Sequence, residues 1–183
     1  DEWIRERTGV RRRRIAEKET TVSMACESGC QAVEEAGISP GEIDMILVAT
    51  GSPDQIFPCT ACQVQEALGA DGAVGFDLNA ACSGFLFAYN TAQAYIASGI
   101  YRTVLVIGSE SISRMVDWTD RGTCILFGDG AGAVLLQAAE GRTYRPIAHS
   151  DGSGGAALTG PGVRNRIRSI DKDGREAKTE YIT

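Results

Sequence analysis

The segment from Val74 to Phe85 reads VGFDLNAACSGF, and it decides how the whole chain is interpreted. Its first five residues form an apolar run that predicts a buried strand. A helical pattern follows from Ser83 to Ser98. One cysteine, Cys82, stands between the two elements with only small residues beside it. The segment therefore predicts a strand-turn-helix unit that carries a thiol at its corner, a device that also exposes the nucleophile of serine hydrolases.

The position of Cys82 favours ionisation of its thiol. The first N–H groups of a helix lack intrahelical partners, and the positive end of the helix dipole favours an anion there. The thiolate is the nucleophilic form of cysteine. A buried structural cysteine is the alternative, because free cysteine is among the most buried residue types. The segment alone leaves both interpretations open.

Apolar strands and helices alternate along the chain around this segment. The predicted helices span residues 20–36, 59–68 and 83–98, and the predicted strands span residues 43–50, 74–78 and 103–109. Residues 43–50 are apolar almost throughout, which is typical of a strand covered on both faces. The alternation predicts an α/β fold with a mostly parallel sheet. Ligands of such sheets bind beyond the carboxyl ends of the strands, where Cys82 is expected.

The last third of the chain is less regular. A long strand punctuated by glycines is predicted over residues 124–137, and a further strand over residues 144–150. Residues 151–183 are rich in glycine and charge and are interpreted as a loop excursion.

Composition excludes several classes of protein. The net charge of −6 indicates no general affinity for nucleic acid. No apolar run approaches the roughly 20 residues that a membrane span needs, and no signal peptide opens the chain. Six cysteines in such a chain indicate a reducing compartment rather than a disulfide framework. We therefore expect a cytoplasmic protein.

The first twenty residues form a local basic patch, with seven of the eighteen Lys and Arg side chains. A solvated surface segment is the usual fate of such a charge run, and a phosphate or acidic-partner site is the alternative. Trp3 lies four residues before Arg7, and an aromatic ring beside a guanidinium suits a nucleotide. This pairing favours the second interpretation.

Cys59 and Cys62 form a CxxC motif at a predicted helix start. A zinc site would need two further ligands, and no second cysteine pair stands at a suitable spacing. A thioredoxin-like motif would follow directly on a strand, whereas here a loop that contains Gly51 and Pro53 intervenes. The motif is therefore not interpreted as a metal or redox site.

Four motifs stand in the order and spacing of one known family. They are DEWI with RTG at residues 1–9, AACSGF at 80–85, TDRGT at 119–123 and FGDGAGA at 127–133. On these motifs the chain resembles the β-ketoacyl-acyl-carrier-protein synthase III family. Members of that family are condensing enzymes that start bacterial type II fatty acid synthesis.

The resemblance implies a thiolase-like fold of layered αβα halves, two of which pack into a five-layered αβαβα sandwich. Residues 1–150 would form the N-terminal thiolase-like half, and residues 151–183 a loop excursion towards a C-terminal half that is absent. The resemblance also implies that the first strand is absent and that it is the central strand of its half-sheet. Unpaired ladder groups would then destabilise the segment.

The resemblance assigns the reaction to Cys82. Its thiolate would accept an acyl group from acyl-CoA as a thioester, with its own backbone N–H helping to hold the oxyanion. The acyl group would then be condensed with malonyl-acyl-carrier protein, which loses carbon dioxide, to give 3-oxoacyl-acyl-carrier protein. No cofactor and no metal are implied, since acyl-CoA is a substrate.

The resemblance also assigns five substrate-binding residues. Trp3 and Arg121 match residues that sandwich the adenine of CoA, and Arg7 matches one that meets its phosphates. Gly122 would lie beside this tunnel. Phe57 matches an aromatic residue that closes the acyl pocket of the neighbouring subunit, which implies a homodimer.

The chain departs from the family in one respect that matters. The resemblance implies a catalytic His and Asn in the second half, and the single histidine, His149, does not lie in that His motif. Two alternatives stay open: a starter-unit synthase of a polyketide-type pathway, and a non-catalytic thiolase-fold partner subunit, against which the retained Cys82 argues. Hydroxymethylglutaryl-CoA synthase needs a Glu about thirty residues before the cysteine, and residues 51–54 contain none.

Overall fold

The computed structural model describes residues 2–141 and 143–160. These residues fall into two compact units. The larger unit comprises residues 13–112 and 128–146, and the smaller unit comprises residues 2–12, 113–127 and 147–160. Most of the loop excursion predicted for residues 151–183 lies outside the described residues. The proposed domain division at residue 150 stays a prediction.

Four strands of the larger unit form one open sheet. They are β1 (Met45–Ala49), β2 (Val74–Leu78), β3 (Thr103–Ser111) and β4 (Asp129–Gln137), in the order β2-β1-β3-β4. β1 is parallel to both β2 and β3, whereas β4 is antiparallel to β3. The predicted mostly parallel α/β sheet is confirmed.

The predicted gap in the middle of this sheet is wrong. β1 and β3 are direct neighbours, with Met45 opposite Val104 and Ala49 opposite Gly108. The ladder therefore continues from β2 to β4 without a missing strand between them. The ladder groups of β1 and β3 are thus paired with each other, and the instability expected for the segment stays a prediction.

The helices begin and end at local signals that the sequence carries. They are α1 (Glu2–Thr8) in the smaller unit and α2 (Thr21–Ala36), α3 (Thr60–Leu68) and α4 (Gly84–Ala97) in the larger unit. Thr20 caps α2, and Gly37 and Gly69 end α2 and α3 in the left-handed conformation that glycine adopts without strain. Within residues 2–141 and 143–160, no helix is both long and apolar enough to cross a membrane.

The sheet is covered on both faces, so the larger unit has three layers. Ile46 and Ile107 face α2 and α3, which contribute small and branched side chains such as Ala61. Leu47 and its alternating neighbours face α4 on the other side. Because helices cover both faces of the sheet, β1 is buried along its whole length. The side of α4 away from the sheet leaves two large apolar side chains exposed, Leu86 and Phe87.

Two local predictions are wrong, and one short helix was not predicted. β4 begins at Asp129, because residues 124–126 form a short 3-10 turn instead of extending the strand. Residues 144–150 are not a strand but exposed irregular chain, and no described strand pairs with them. Residues 2–8 form a short helix that was not predicted, because seven mostly charged residues show no apolar period.

Candidate active site

The turn between β2 and α4 presents Cys82 to solvent. Ala81, Cys82 and Ser83 form one 3-10 turn, and α4 begins at Gly84. The side chain of Cys82 is exposed, so the alternative of a buried structural cysteine does not hold for the described chain. The order of strand, turn and helix is confirmed, but β2 is not the buried strand that was predicted, because Val74 is exposed and the other four residues are only half-buried.

The backbone of this turn is strained one residue before the cysteine. Ala81 has a φ angle of 46°, a left-handed conformation that costs a residue with a Cβ about 1–3 kcal/mol. Its N–H donates to the Oδ1 atom of Asn79 at 3.1 Å, which holds the turn. Gly84 is buried, and a Cβ there would lie 3.3 Å from the Cβ of Ala49 at the end of β1. The bond to Asn79 and the close packing of Gly84 offset this strain and hold Cys82 at the carboxyl end of the sheet.

No side-chain oxygen caps the start of α4. The N-cap residue, Ser83, makes no side-chain capping bond, and neither does Ala80 before the 3-10 turn. By contrast, Asp54 accepts a hydrogen bond from the N–H of Val22 in the first turn of α2. Asp77 accepts two such bonds at the start of α3. The start of α4, beside Cys82, thus keeps its positive field. At the starts of α2 and α3 a carboxylate offsets the corresponding field.

A carboxylate that the sequence reasoning missed holds the neighbouring loop. Glu110, near the end of β3, accepts hydrogen bonds from the N–H of Gly51 at 2.7 Å and from the hydroxyls of Thr50 and Ser52. These contacts join the loop after β1 to β3. A Cβ on Gly51 would lie 3.6 Å from both the Oδ1 of Asn79 and the Oε1 of Glu110. Glu110 therefore braces the loop beside the Cys82 turn. The one signal in the sequence is an acidic residue at the end of an apolar strand.

Three of the predicted CoA-binding residues lie together in the smaller unit. The Cζ atom of Arg7 lies over the ring of Trp3 at 4.2 Å from its centroid, one helical turn away on α1. The Cζ atom of Arg121 lies 5.6 Å from the same centroid. Trp3 is 39% exposed. The structure thus brings two guanidinium groups to one aromatic ring, an arrangement stabilised by cation–π attraction.

The loop that carries Arg121 is ordered by two aspartates. Asp120 accepts hydrogen bonds from the hydroxyl of Thr123 at 2.6 Å and from the N–H of Gly122 at 2.9 Å. These two bonds hold the pKa of the Asp120 carboxyl below its usual value, because they favour the charged form. Asp117 makes the equivalent bonds to Thr119. The carboxylates therefore fix the backbone on both sides of the position of Arg121.

Phe57 lies in the larger unit, in the loop between β1 and α3. Its side chain is 82% exposed, and that of Ile56 beside it is 57% exposed. The predicted site residues are thus divided between the two units, with Cys82 and Phe57 in one and Trp3, Arg7, Arg121 and Gly122 in the other. Their individual roles stay predictions. Among the described residues no cluster of three or more His, Cys, Asp or Glu side chains could hold a metal ion.

Known proteins match most of this chain. A family model described as 3-oxoacyl-[acyl-carrier-protein (ACP)] synthase III matches residues 76–160. The β-ketoacyl-[acyl-carrier-protein] synthase III of Desulfitobacterium hafniense (strain Y51) is 52% identical over 166 residues, which are 88% of this chain and 50% of that protein. The chain spans about half the length of the curated relatives it matches.

Two solved structures show the same fold. The 3-oxoacyl-[acyl-carrier-protein] synthase III of Aquifex aeolicus VF5 is 52% identical, with a TM-score of 0.75 over 77% of this chain and 46% of that one. The priming β-ketosynthase of the R1128 polyketide biosynthetic pathway is 41% identical, with a TM-score of 0.82 over 86% of this chain and 48% of that one. The predicted thiolase-like fold is confirmed. With the four motifs, the exposed cysteine turn and these relatives in agreement, the chain belongs to the β-ketoacyl-acyl-carrier-protein synthase III family.

Proposed function

We propose that the protein condenses an acyl-CoA primer with malonyl-acyl-carrier protein and so initiates fatty acid synthesis. The observation that carries this proposal is the exposed Cys82 at an uncapped helix start. That thiol lies in a chain of the β-ketoacyl-acyl-carrier-protein synthase III family. The product would be 3-oxoacyl-acyl-carrier protein, and the protein would act as an acyltransferase.

The first half-reaction moves the acyl group onto Cys82. The thiolate attacks the thioester carbonyl, and the tetrahedral intermediate collapses with loss of the CoA thiolate, which takes a proton from solvent. One thioester replaces another, so the exchange is close to balanced. The backbone N–H of Cys82 would donate to the oxyanion, and the exposure of this residue leaves room for the substrate carbonyl.

The second half-reaction forms a carbon–carbon bond. Malonyl-acyl-carrier protein loses carbon dioxide, and the resulting carbanion attacks the carbonyl of the acyl-Cys82 thioester. The thiolate of Cys82 leaves and is ready for the next primer. The family resemblance assigns stabilisation of the carbanion to a His and an Asn, and neither motif lies within these 183 residues.

The primer would be held through the adenine and phosphates of CoA. A planar base between Trp3 and Arg121 needs about 7–8 Å between the two flanking planes, at about 3.5–4 Å per contact. The guanidinium of Arg121 is only 5.6 Å from the ring centroid. We therefore expect Arg121 to move outward by about 2 Å when CoA binds, while Arg7 keeps a charge beside Trp3 for the phosphates. Gly122 leaves room next to Arg121, because it carries no side chain.

The working protein would be a homodimer. Phe57 and Ile56 form an exposed apolar tip that a partner subunit could cover. In the resemblance, Phe57 closes the acyl pocket of the neighbouring subunit. The six free cysteines suit a reducing compartment, and we assign the protein to the cytoplasm on that ground.

A starter-unit synthase of a polyketide pathway is the second candidate. The similarity to the priming β-ketosynthase of the R1128 pathway favours it, with 41% identity over 86% of this chain. The chemistry at Cys82 would be the same, and only the acceptor carrier protein would differ. A non-catalytic partner subunit is disfavoured, because it would have no use for an exposed cysteine on a strained turn.

Transfer of a labelled acyl group tests the proposal. Intact protein is incubated with radiolabelled acetyl-CoA and then with longer and branched acyl-CoA primers, and the label that stays on the protein is counted. We expect label on the native protein and none on Cys82→Ala, whereas the control Cys62→Ala should be labelled like the native protein. Labelling that survives Cys82→Ala would overturn the assignment of the nucleophile. Adding malonyl-acyl-carrier protein from fatty acid or polyketide pathways then distinguishes the two candidates.

A further inference from the structure

The CxxC motif at the start of α3 brings two thiols together. Cys59 is the N-cap residue of the helix and Cys62 is the third residue of its first turn. The Sγ atoms of Cys59 and Cys62 lie 3.4 Å apart, in hydrogen-bonding contact. Cys62 is exposed and Cys59 is partly exposed. The sulfurs are thus in contact and open to small reagents.

Joining these sulfurs needs little movement. A disulfide bond is about 2.05 Å long, so the sulfur atoms must approach by only about 1.4 Å, which side-chain rotation can supply. Cys26 and Cys30 on α2 offer an internal comparison. There the thiol of Cys30 donates to the carboxylate of Glu34 rather than to the other cysteine. Contact between two thiols is therefore not a general result of cysteines on one helix.

Redox chemistry suits this pair better than metal binding. A structural zinc ion takes four ligands, and the described residues hold no cluster of three or more His, Cys, Asp or Glu that could bind one. Two thiols in contact are sufficient for a reversible disulfide. The sequence argued against a redox motif because a loop separates it from the preceding strand. The distance between the sulfurs outweighs that argument, since exchange requires only the two thiols and access.

We propose that Cys59 and Cys62 form a reversible dithiol–disulfide site that is oxidised by low-molecular-weight disulfides, independently of the acyl chemistry of Cys82. The thiolate of Cys59 attacks one sulfur of the small disulfide, whose S–S bond breaks and whose other half leaves as a thiolate. Cys62 then loses its proton to solvent and attacks the sulfur of Cys59. The mixed disulfide breaks and releases the second small thiolate. The protein loses two electrons, and the small disulfide gains them to become two thiols.

The surroundings of the pair set its reactivity. The bond to Cys59, followed by burial and by the nearby charge of Asp77, raises the pKa of the Cys62 thiol. The carboxylate of Asp77 also occupies the N–H groups of Thr60 and Ala61, so the helix start offers little support to a thiolate. Because the pKa of Cys62 is raised, the step in which Cys62 attacks is expected to be slow and to accelerate as the pH rises.

The chain offers a clean readout of this site. Cleavage after acidic residues releases residues 55–66, which contain Cys59 and Cys62 and no other cysteine. Intact protein is incubated with glutathione disulfide at pH 8, quenched with acid, alkylated and digested. We expect this peptide to lose about 2 Da and to resist alkylation, and dithiothreitol to reverse both changes. Cys26 and Cys30, which lie on two different peptides of the same digest, are the matched control.

The outcomes are distinct. At least tenfold more disulfide in residues 55–66 than between Cys26 and Cys30 supports the proposal. In Cys59→Ser and Cys62→Ser the remaining thiol should carry a mixed disulfide instead. Full alkylation of residues 55–66 in the native protein, or a disulfide between either cysteine and Cys82, overturns it. Acyl labelling of Cys82 is measured in parallel, so failure of this proposal and failure of the proposed function are told apart.

Discussion

Two helix starts of the larger unit carry cysteines, and they differ in how their backbone N–H groups are used. At the start of α3, Asp77 accepts hydrogen bonds from the N–H groups of Thr60 and Ala61 at 2.9 and 2.8 Å. At the start of α4, the N-cap residue Ser83 makes no side-chain capping bond. A carboxylate offsets the positive end of α3, whereas none offsets that of α4.

One strand is responsible for the difference. β2 directs Gly75 and Asp77 towards α3, since both lie on the same face by the two-residue period of a strand. The same strand then runs into the turn that carries Cys82. The cysteines of α3 therefore lie beside a negative charge, whereas Cys82 lies at a helix start whose N-cap residue, Ser83, makes no side-chain capping bond. The comparison indicates that the helix start without a carboxylate favours a thiolate at Cys82, whereas Asp77 disfavours one at the start of α3.

The largest expected effect comes from removing the thiol at the start of α4, compared with removing one at the start of α3. Cys82→Ala should reduce acyl transfer from acyl-CoA at least a thousandfold, because no nucleophile remains at the uncapped start. Cys62→Ala at the capped start should leave the rate within about twofold of the native protein. Both rates are measured as acyl label per protein over time. Equal losses in the two variants would remove the distinction between the helix starts.

The packing of β2 against α3 gives the second effect, this time on stability. A Cβ at Gly75 would lie 3.2 Å from the carbonyl carbon of Ala61, so Gly75→Ala must push the helix away from the strand. We expect a loss of about 1–3 kcal/mol in the free energy of unfolding, measured by urea denaturation. Gly132→Ala on β4 is the matched control, because a Cβ there meets nothing within 4 Å. A change in Gly75→Ala no larger than in this control would show that the contact is not tight.

The third prediction concerns a variant in which a carboxylate is introduced at the start of α4, as Asp77 provides one at the start of α3. Ser83→Asp would cap the helix and place a negative charge next to Cys82, which disfavours the thiolate. Acyl transfer should fall about tenfold, equivalent to about 1.4 kcal/mol, even though the helix is better capped. Ser83→Asn is the control, since it caps without charge and should keep nearly the native rate. If both variants act alike, the field at the helix start does not explain the reactivity of Cys82.

The smallest effect is a change in the titration of Cys62. The bond to Cys59 raises the pKa of this thiol, so its alkylation should reach half-maximal rate at a higher pH than that of a free cysteine. Cys59→Ala removes the main cause and should move the midpoint down. The pKa of Cys62 is higher in the folded than in the unfolded protein, so the protonated thiol contributes to the free energy of unfolding. This contribution is fully present below the pKa of the unfolded state and is lost as the pH rises through the pKa of the folded state.

Cys30 serves as the control for this titration. Its thiol pKa is also raised, but by a hydrogen bond from its own S–H to Glu34. The midpoint of Cys30 should therefore stay unchanged in Cys59→Ala. A midpoint of Cys62 that does not move in this variant contradicts the described contact between the two sulfurs.

Much of the fold could be predicted from local signals. The cap at Thr20, the glycines that end α2 and α3, and the buried run of β1 all mark their elements within a few residues. The start of β4 was placed too early, because glycine-rich sequence carries little period. The strand predicted over residues 144–150 does not form, since a segment becomes a strand only where another strand pairs with it.

The sequence predicted the reactive and binding residues of the candidate site better than the residues that hold them in place. Cys82 stands out because one reactive residue lies between a strand and a helix pattern. Trp3 and Arg7 could be paired by their spacing of four, and the structure confirms the contact between them. Glu110 could not be found this way, because its role depends on Gly51, 59 residues earlier in the chain.

The sequence by itself determined most helices and strands of the larger unit and that a thiol would stand at the start of α4. These features depend on hydrophobic period and on caps, which act over a few neighbouring residues. Only the tertiary structure decided the strand order, the pairing of β1 with β3, and which helix start receives a carboxylate. Those features depend on which distant residues meet, as Asp77 meets Thr60 across 17 positions, and no local pattern encodes such a meeting.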